Sequence, residues 1–345
     1  MPITEAAIAQ AIQVLARGGL VALPTETVYG LAADAQNEAA VRAIFAAKGR
    51  PADHPLIVHI AATPDLAAAL EPWSTAPSEA ARALARAFWP GPLTLVVPRS
   101  ARVLDVVTGG QDTVGLRCPS HPGAQALLQA YAARTGHALA APSANSFGRI
   151  SPTTAAHVRA DLGEKPQGKV DLVLDGGPCP VGIESTIVDC TGPQVRLLRP
   201  GSITAAQLQA VLGYPVQGLS ADAPAPRVSG RLPAHYAPRT PLELVDIDQL
   251  PARLTQLQGK RIAVLAPATA NVTANRAHAH AYRPAPEAAA DYARALYALL
   301  HELDAAGAQR LLIARPPTGP AWDAIHDRLT RAAAGAGVFE FEDVD

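Results

Sequence analysis

The sequence predicts two α/β domains joined by a long connector. Over residues 1–212 short apolar segments alternate with amphipathic helical stretches, residues 213–240 are rich in Pro, Gly and Ser and show no period, and from 241 to 345 the alternation restarts as βαβαβ. A chain of 345 residues is longer than one ordinary core requires and suits two domains of about 100–200 residues each. With 49% hydrophobic and 17% charged residues, it has the apolar side chains to fill two cores, which excludes a disordered chain.

In chain order, Thr4 is placed to N-cap an opening amphipathic helix that stops at Gly18. Strands are expected at 19–24, 56–61, 93–98, 114–119, 138–142, 170–177 and 185–190, each a short apolar run bounded by turn residues. Helices are expected after Asn37, after Pro77-Ser78 and after Ser120, while Ser151-Pro152 suits an N-cap with Pro in the first helical position. Connections as long as 213–240 are linkers or functional lids, and this one is read as a linker that forms a lid. The second half offers LELVDI, KRIAVLAP, a long helix across DYARALYALLHELDAAG, QRLLIARPP, the helix WDAIHDRLTRAA and GVFEF. That is a small Rossmann-like pattern with neither GxGxxG nor a Walker A sequence.

The formal net charge is −1, and residues 1–212 hold 16 basic and 16 acidic side chains, so no global field draws the chain to nucleic acid or to an anionic membrane. Cys118, Cys179 and Cys190 are odd in number and lack CxxC spacing, which argues against a disulfide framework or a zinc knuckle and for a reducing, cytoplasmic setting. No apolar run approaches the length of a membrane span, and the first residues lack the basic and apolar regions of a signal peptide. His278 and His280 have no third His or carboxylate nearby, so no protein metal site is expected there.

Three segments look chemical. In PTETVYGLAADAQNEAAVRAIFAAKGRP, hydroxyls at Thr25 and Thr27 follow a strand, and a helix then delivers Lys48 and Arg50 around a glycine. Two cations there suit a phosphate or carboxylate, or they merely answer the helix dipole for a few tenths to ~1 kcal/mol. In LAAPSANSFGRIS, Ser143, Asn145, Ser146 and Ser151 crowd past a buried strand, either converging on a phosphate or adenine edge or forming a polar turn. In GIESTIVDC and LLRPG, Ser185 and Thr186 open a strand and Arg199 ends the next. Thr113 and Arg117 share one strand face, and an Arg there needs a solvated groove or an anionic partner, whether a ligand or a structural carboxylate. His59, inside LIVHIA, reads from its context more as a satisfied sheet residue than as a ligand.

KGRP at 48–51 and SAN at 143–145, with PTETVYGL before them and GIESTIVD and LRPG after, resemble the YrdC-type threonylcarbamoyl-AMP synthases over most of 1–212. SGRLPAHYAPRTPL at 229–242 resembles the connector of that family's long two-domain branch, and AIHDRLTRAA its final helix. The usual SPGMKYRHYAP is replaced here by Ser229-Gly230-Arg231-Leu232-Pro233-Ala234 before His235. The resemblance implies a twisted open-sheet N-domain with a concave groove, a Rossmann-like C-domain, and a linker reaching over the groove.

It also implies the reaction: L-threonine, bicarbonate and ATP give threonylcarbamoyl-AMP and pyrophosphate, with Mg²⁺ arriving on ATP and no covalent enzyme intermediate. Lys48 and Arg50 match the family's KxR and would bind the triphosphate and the threonine carboxylate, and Ser143 and Asn145 match its SxN and would bind the nucleotide. Thr27 or Thr25, His59, Arg117 and Ser185 would surround threonine, with Thr113, Ser151, Arg199 and Tyr236 nearer ATP. A downstream threonylcarbamoyl transferase complex acting on tRNA is the implied partner, with a weak RNA contact and no membrane. Two other classes compete. An RNA-binding module would show salt-sensitive RNA affinity without ATP turnover, and a serine hydrolase at Ser143 would require the GxSxG elbow that APSANS lacks.

Overall fold

The computed structural model describes residues 3–218, 225–269 and 279–336. The chain forms two compact units, one of Met1–Phe147 with Pro152–Arg231 and one of Gly148–Ser151 with Leu232–Asp345. The short Gly148–Ser151 segment belongs to the second unit because its own backbone pairs there: the Ala237 amide donates to Gly148 O at 2.8 Å, and Arg149 bridges Ala237. Connector residues 213–218 and 225–231 fall within the first unit, and 232–240 within the second.

The first unit is built on nine strands: β1 (Val21–Leu23), β2 (Gly30–Asp34), β3 (Ile57–His59), β4 (Leu93–Pro98), β5 (Thr113–Arg117), β6 (Leu139–Ala140), β7 (Leu172–Val173), β8 (Thr186–Asp189) and β9 (Arg196–Arg199). They form one mixed sheet in the order β7-β1-β2-β6-β3-β5-β4-β8-β9. Around β1, β2 and β6 both faces are covered. Val21, Leu23, Ala32 and Leu139 pack with the helices Glu5–Ala16 and Pro122–Thr135, while Ala22, Leu31, Ala33 and Ala140 join the larger core on the other side.

Across β3, β5, β4 and β8 the alternation separates two chemistries. Val58, Val114, Leu116, Leu95, Val97 and Val188 point into the large core. The residues between them, Ile57, His59, Thr113, Gly115, Arg117, Thr94, Val96 and Ile187, share the opposite face, since side chains alternate along a strand and neighbours in register lie on one side. Connector residues Ala225 and Val228 cover part of that face, packing with Val96, Ile187, Leu198 and Ile57.

Caps follow the sequence closely: Thr4, Asn37 and Ser78 each accept a backbone amide three residues on. Two expectations are corrected. The helix after Ser120 is capped by His121, whose ring nitrogen accepts the Gly123 amide, because Pro122 takes the first helical position and moves the cap one residue along. The helix after Ser151 runs over Ala155–Asp161 with Thr154 as its cap, so Ser151 lies outside it.

The second unit is a parallel sheet of β10 (Leu242–Val245), β11 (Ile262–Pro267), β12 (Ala281–Ala285) and β13 (Arg310–Ala314) in the order β10-β13-β11-β12. The helix Ala289–Asp304 buries Tyr292, Leu296, Tyr297, Leu300 and Leu303, and the helix Asp323–Gly335 buries Ile325, Arg328 and Leu329. The expected GVFEF strand at 337–341 and His278 lie outside the described residues.

Candidate active site

Lys48 ends the helix Glu38–Lys48, and Gly49 stops it in the left-handed conformation at φ 63°, which a side chain at this position would resist. The lysine turns inward instead of into solvent. It is 3% exposed, and its Nζ donates to the carbonyls of Ser143 and Asn145, each at 2.5 Å. The Phe147 amide returns a bond to Lys48 O at 2.8 Å, so the two segments latch to each other. Burial pushes the Lys48 pKa well below the ordinary lysine range, the Arg50 charge adds to that, and Asp161 opposes it. A desolvated ammonium with two of its three donors on carbonyls is stabilised by an arriving anion, which answering a helix dipole would not require. Arg50, 7% exposed, donates through Nη2 to Pro55 O (3.0 Å) and Ser229 Oγ (3.1 Å) and lies over the Phe147 ring.

The turn after β1 separates its two threonines. Thr25 Oγ1 donates to Val28 O at 2.6 Å, accepts the amides of Thr27 and Val28, and lies 3.0 Å from Thr27 Oγ1. Its proton is committed to Val28 O, so Thr27 donates to Thr25 and keeps acceptor capacity. Thr25 therefore folds the turn, while Thr27 keeps acceptor capacity. Thr25→Val should lower stability by about 1–2 kcal/mol, the range for losing a buried hydrogen-bonding hydroxyl, and Thr27→Val by less; thermal melting separates the two.

On the open face of the sheet, His59, Arg117 and Thr94 are neighbours in register across β3, β5 and β4. Thr94 Oγ1 meets Ser185 Oγ at 2.7 Å, and Arg199 donates to Ser185 O from Nε (3.1 Å) and Nη2 (2.9 Å), and to Ser229 O from Nη1 (3.1 Å). His59 Nδ1 faces Ile57 O at 3.2 Å, so Nδ1 carries the proton and Nε2 is an acceptor. Burial, with help from Arg117, drives its pKa down to about 3. It is neutral at working pH and ill suited to take a proton. Between pH 6.5 and about 3 the unfolded chain protonates this histidine and the folded chain does not. Stability from this group is thus complete above pH 6.5 and is lost as pH falls through that window, by up to ~1.4 kcal/mol per unit. Urea unfolding of His59→Gln should show a flatter pH slope than the parent.

Arg117 faces a structural carboxylate, one of the partners its strand position left open: Glu26 Oε1 lies 2.8 Å from Nη2, both side chains being buried. Sequence reading missed Glu26, although its place between Thr25 and Thr27 was the available signal. Thr94 was missed as well, being one hydroxyl in the apolar run LTLVVP. Thr113 is half-buried on the same face, near Val228 and Ser229, beside a residual cavity of about 20 Å³.

Ser146 is tied to Asp161, its amide and hydroxyl both going to that carboxylate, at 2.7 and 2.8 Å. Ser151 and Tyr236 lie in the second unit. Ser151 O meets His301 Nε2 at 3.2 Å. Tyr236 adopts φ 61°, uncommon for a non-glycine residue, with its ring edge-on to His235 and under the Arg328 guanidinium. An open cavity of about 1070 Å³ near Arg42, Asp53, Arg99 and Asp105 contains none of these groups. Arg42 and Arg99 are already paired with Glu38 and Asp105, so chemistry rather than volume assigns the site.

Fold and site together define an α/β protein that gathers buried cations and hydroxyls on one sheet face and loop cluster to receive anionic substrates. The family model Sua5/YciO/YrdC, described as telomere recombination, matches residues 13–201, and the model of the threonylcarbamoyl-AMP synthase C-terminal domain matches 203–334. The chain belongs to the Sua5/YciO/YrdC family. It is similar to the threonylcarbamoyl-AMP synthase of Bacillus subtilis (strain 168), 43% identical over 267 residues that span 75% of this chain and 73% of that protein. It is equally similar to the synthase of Pyrococcus abyssi, at 43% over 263 residues, 72% of this chain and 73% of that protein. The crystal structure of Pyrococcus abyssi Sua5 complexed with L-threonine matches with a TM-score of 0.85 at 35% identity, covering 97% of this chain and 96% of that one. Among the described residues, no helix is long and apolar enough to cross a membrane.

Proposed function

We propose that this chain is a threonylcarbamoyl-AMP synthase: it joins L-threonine, bicarbonate and ATP into threonylcarbamoyl-AMP with release of pyrophosphate. This would be the first step of threonylcarbamoyladenosine formation at the tRNA adenosine next to the anticodon. The observation that carries the reading is the buried Lys48 latched to the carbonyls of Ser143 and Asn145, which supports a site made for phosphate.

The chemistry asks little covalent work of the protein. The threonine amine and bicarbonate give a carbamate and water, a carbamate oxygen attacks the α-phosphorus, and pyrophosphate leaves. The enzyme supplies orientation and fixed charge where negative charge develops. Lys48 and Arg50 take the triphosphate and, together with Arg117, the threonine carboxylate, and Ser143, Asn145, Thr113 and Arg199 hold the nucleotide. Thr27, His59, Arg117 and Ser185 hold threonine, with the acceptors of Thr27 and His59 suited to its amine or hydroxyl. These cations and hydroxyls are partners for phosphate rather than for Mg²⁺, so the ion enters as MgATP and neutralises pyrophosphate.

The connector acts as a lid, a role supported by Ala225 and Val228 lying on the substrate face. The product passes to a threonylcarbamoyl transferase complex in the cytoplasm, where a weak RNA contact would serve the same hand-over. Mass spectrometry of the purified chain with MgATP, ¹³C-bicarbonate and L-threonine tests the reading. A labelled threonylcarbamoyl-AMP peak is expected, and its absence with active ATP binding would remove the synthase assignment.

A further inference from the structure

Glu26 is among the most buried carboxylates of the first unit, its side chain 4% exposed against 5% for Arg117. Two charges taken this far from water are stable together only where geometry is good and the remaining donors and acceptors are met. Here the match is incomplete. Arg117 Nη2 and Glu26 Oε1 are 2.8 Å apart without hydrogen-bond alignment, and Arg117 Nε, Arg117 Nη2 and Glu26 Oε1 are each without a hydrogen-bond partner. The rest of Glu26 is pinned. The Ser120 amide holds Oε2 at 3.0 Å, and the Val181 amide holds the Glu26 carbonyl at 2.8 Å. The carboxylate is thus anchored through one oxygen and faces the guanidinium with the other, neutralising its charge without consuming its donors. Nε and Nη2 form the edge through which an arginine grips a planar carboxylate with two parallel bonds.

We propose that Glu26 is a positioning residue that keeps the Nε–Nη2 edge of Arg117 turned toward the carboxylate of the amino-acid substrate. This rests on the synthase reading above and extends it to a residue whose charge is not itself spent on the substrate. Replacing the carboxylate by an amide keeps the shape but removes the charge that holds the guanidinium.

Calorimetric titration of the full chain with L-threonine and, separately, with MgATP tests it. For Glu26→Gln, threonine affinity should fall at least tenfold and MgATP affinity should change less than twofold. Glu26→Asp, which keeps the charge, should recover part of the loss. Threonine binding within twofold of the parent, or equal losses for threonine and MgATP, would overturn the proposal. Should Glu26→Gln not fold, Glu26→Asp decides alone: selective weakening for threonine supports the role, and unchanged binding refutes it. A parent chain that binds no threonine would instead sink the synthase reading, so the two failures are distinguishable.

Discussion

Lys48→Ala is expected to lower threonylcarbamoyl-AMP formation by at least ~10²-fold, the scale set by removing one preorganised donor from a developing anion. The effect has two sources. The substitution deletes the buried ammonium, and it releases the Ser143 and Asn145 carbonyls that Lys48 Nζ holds at 2.5 Å each. The fold should survive, because the lost hydrogen bonds are offset by no longer burying a charge whose desolvation already depresses its pKa. Single-turnover assays with circular dichroism on the same preparation check both halves. Turnover within threefold of the parent would remove Lys48 from the machinery.

Asp189→Asn is expected to cost about 1–3 kcal/mol of stability, the range for leaving buried hydrogen-bonding groups unmet, because Arg196, 20% exposed, keeps contact with water. The Asp189 side chain is fully buried. One of its oxygens accepts the amide and hydroxyl of Thr191 at 2.9 and 2.6 Å, and the other accepts Arg196 Nη2 and Nε at 2.6 and 3.2 Å. An asparagine can serve only one of these groups as acceptor and turns an N–H₂ toward donors on the other side. This network closes the hairpin of β8 and β9, which begins beside Ser185 and ends at Arg199. Nucleotide affinity should therefore fall along with stability. Urea unfolding followed by tryptophan fluorescence measures the loss, and a midpoint unchanged from the parent would show that the network contributes little.

Much of this was legible in the sequence because periodicity and capping act locally. Thr4, Asn37 and Ser78 cap where their spacing placed them, and Thr113 and Arg117 share a face because alternation requires it. The missed strands had physical reasons. β2 is GLAAD, without a β-branched or aromatic residue, and it is a strand because its neighbours bury both its faces. β12 contains Arg283 and Pro284, which a sheet tolerates at an edge, and β12 is an edge strand. At the site, the motif residues were readable but their division of labour was not. Which threonine spends its hydroxyl on the turn, which way Lys48 points, and that Glu26 reaches Arg117 all depend on contacts between segments distant in the chain.

The most direct test of the synthase account is pyrophosphate release by the purified protein with MgATP, comparing L-threonine with L-serine, L-valine and no amino acid, each with and without bicarbonate. The account predicts release that requires threonine and bicarbonate together. Release indifferent to threonine, or none under any condition, would contradict it.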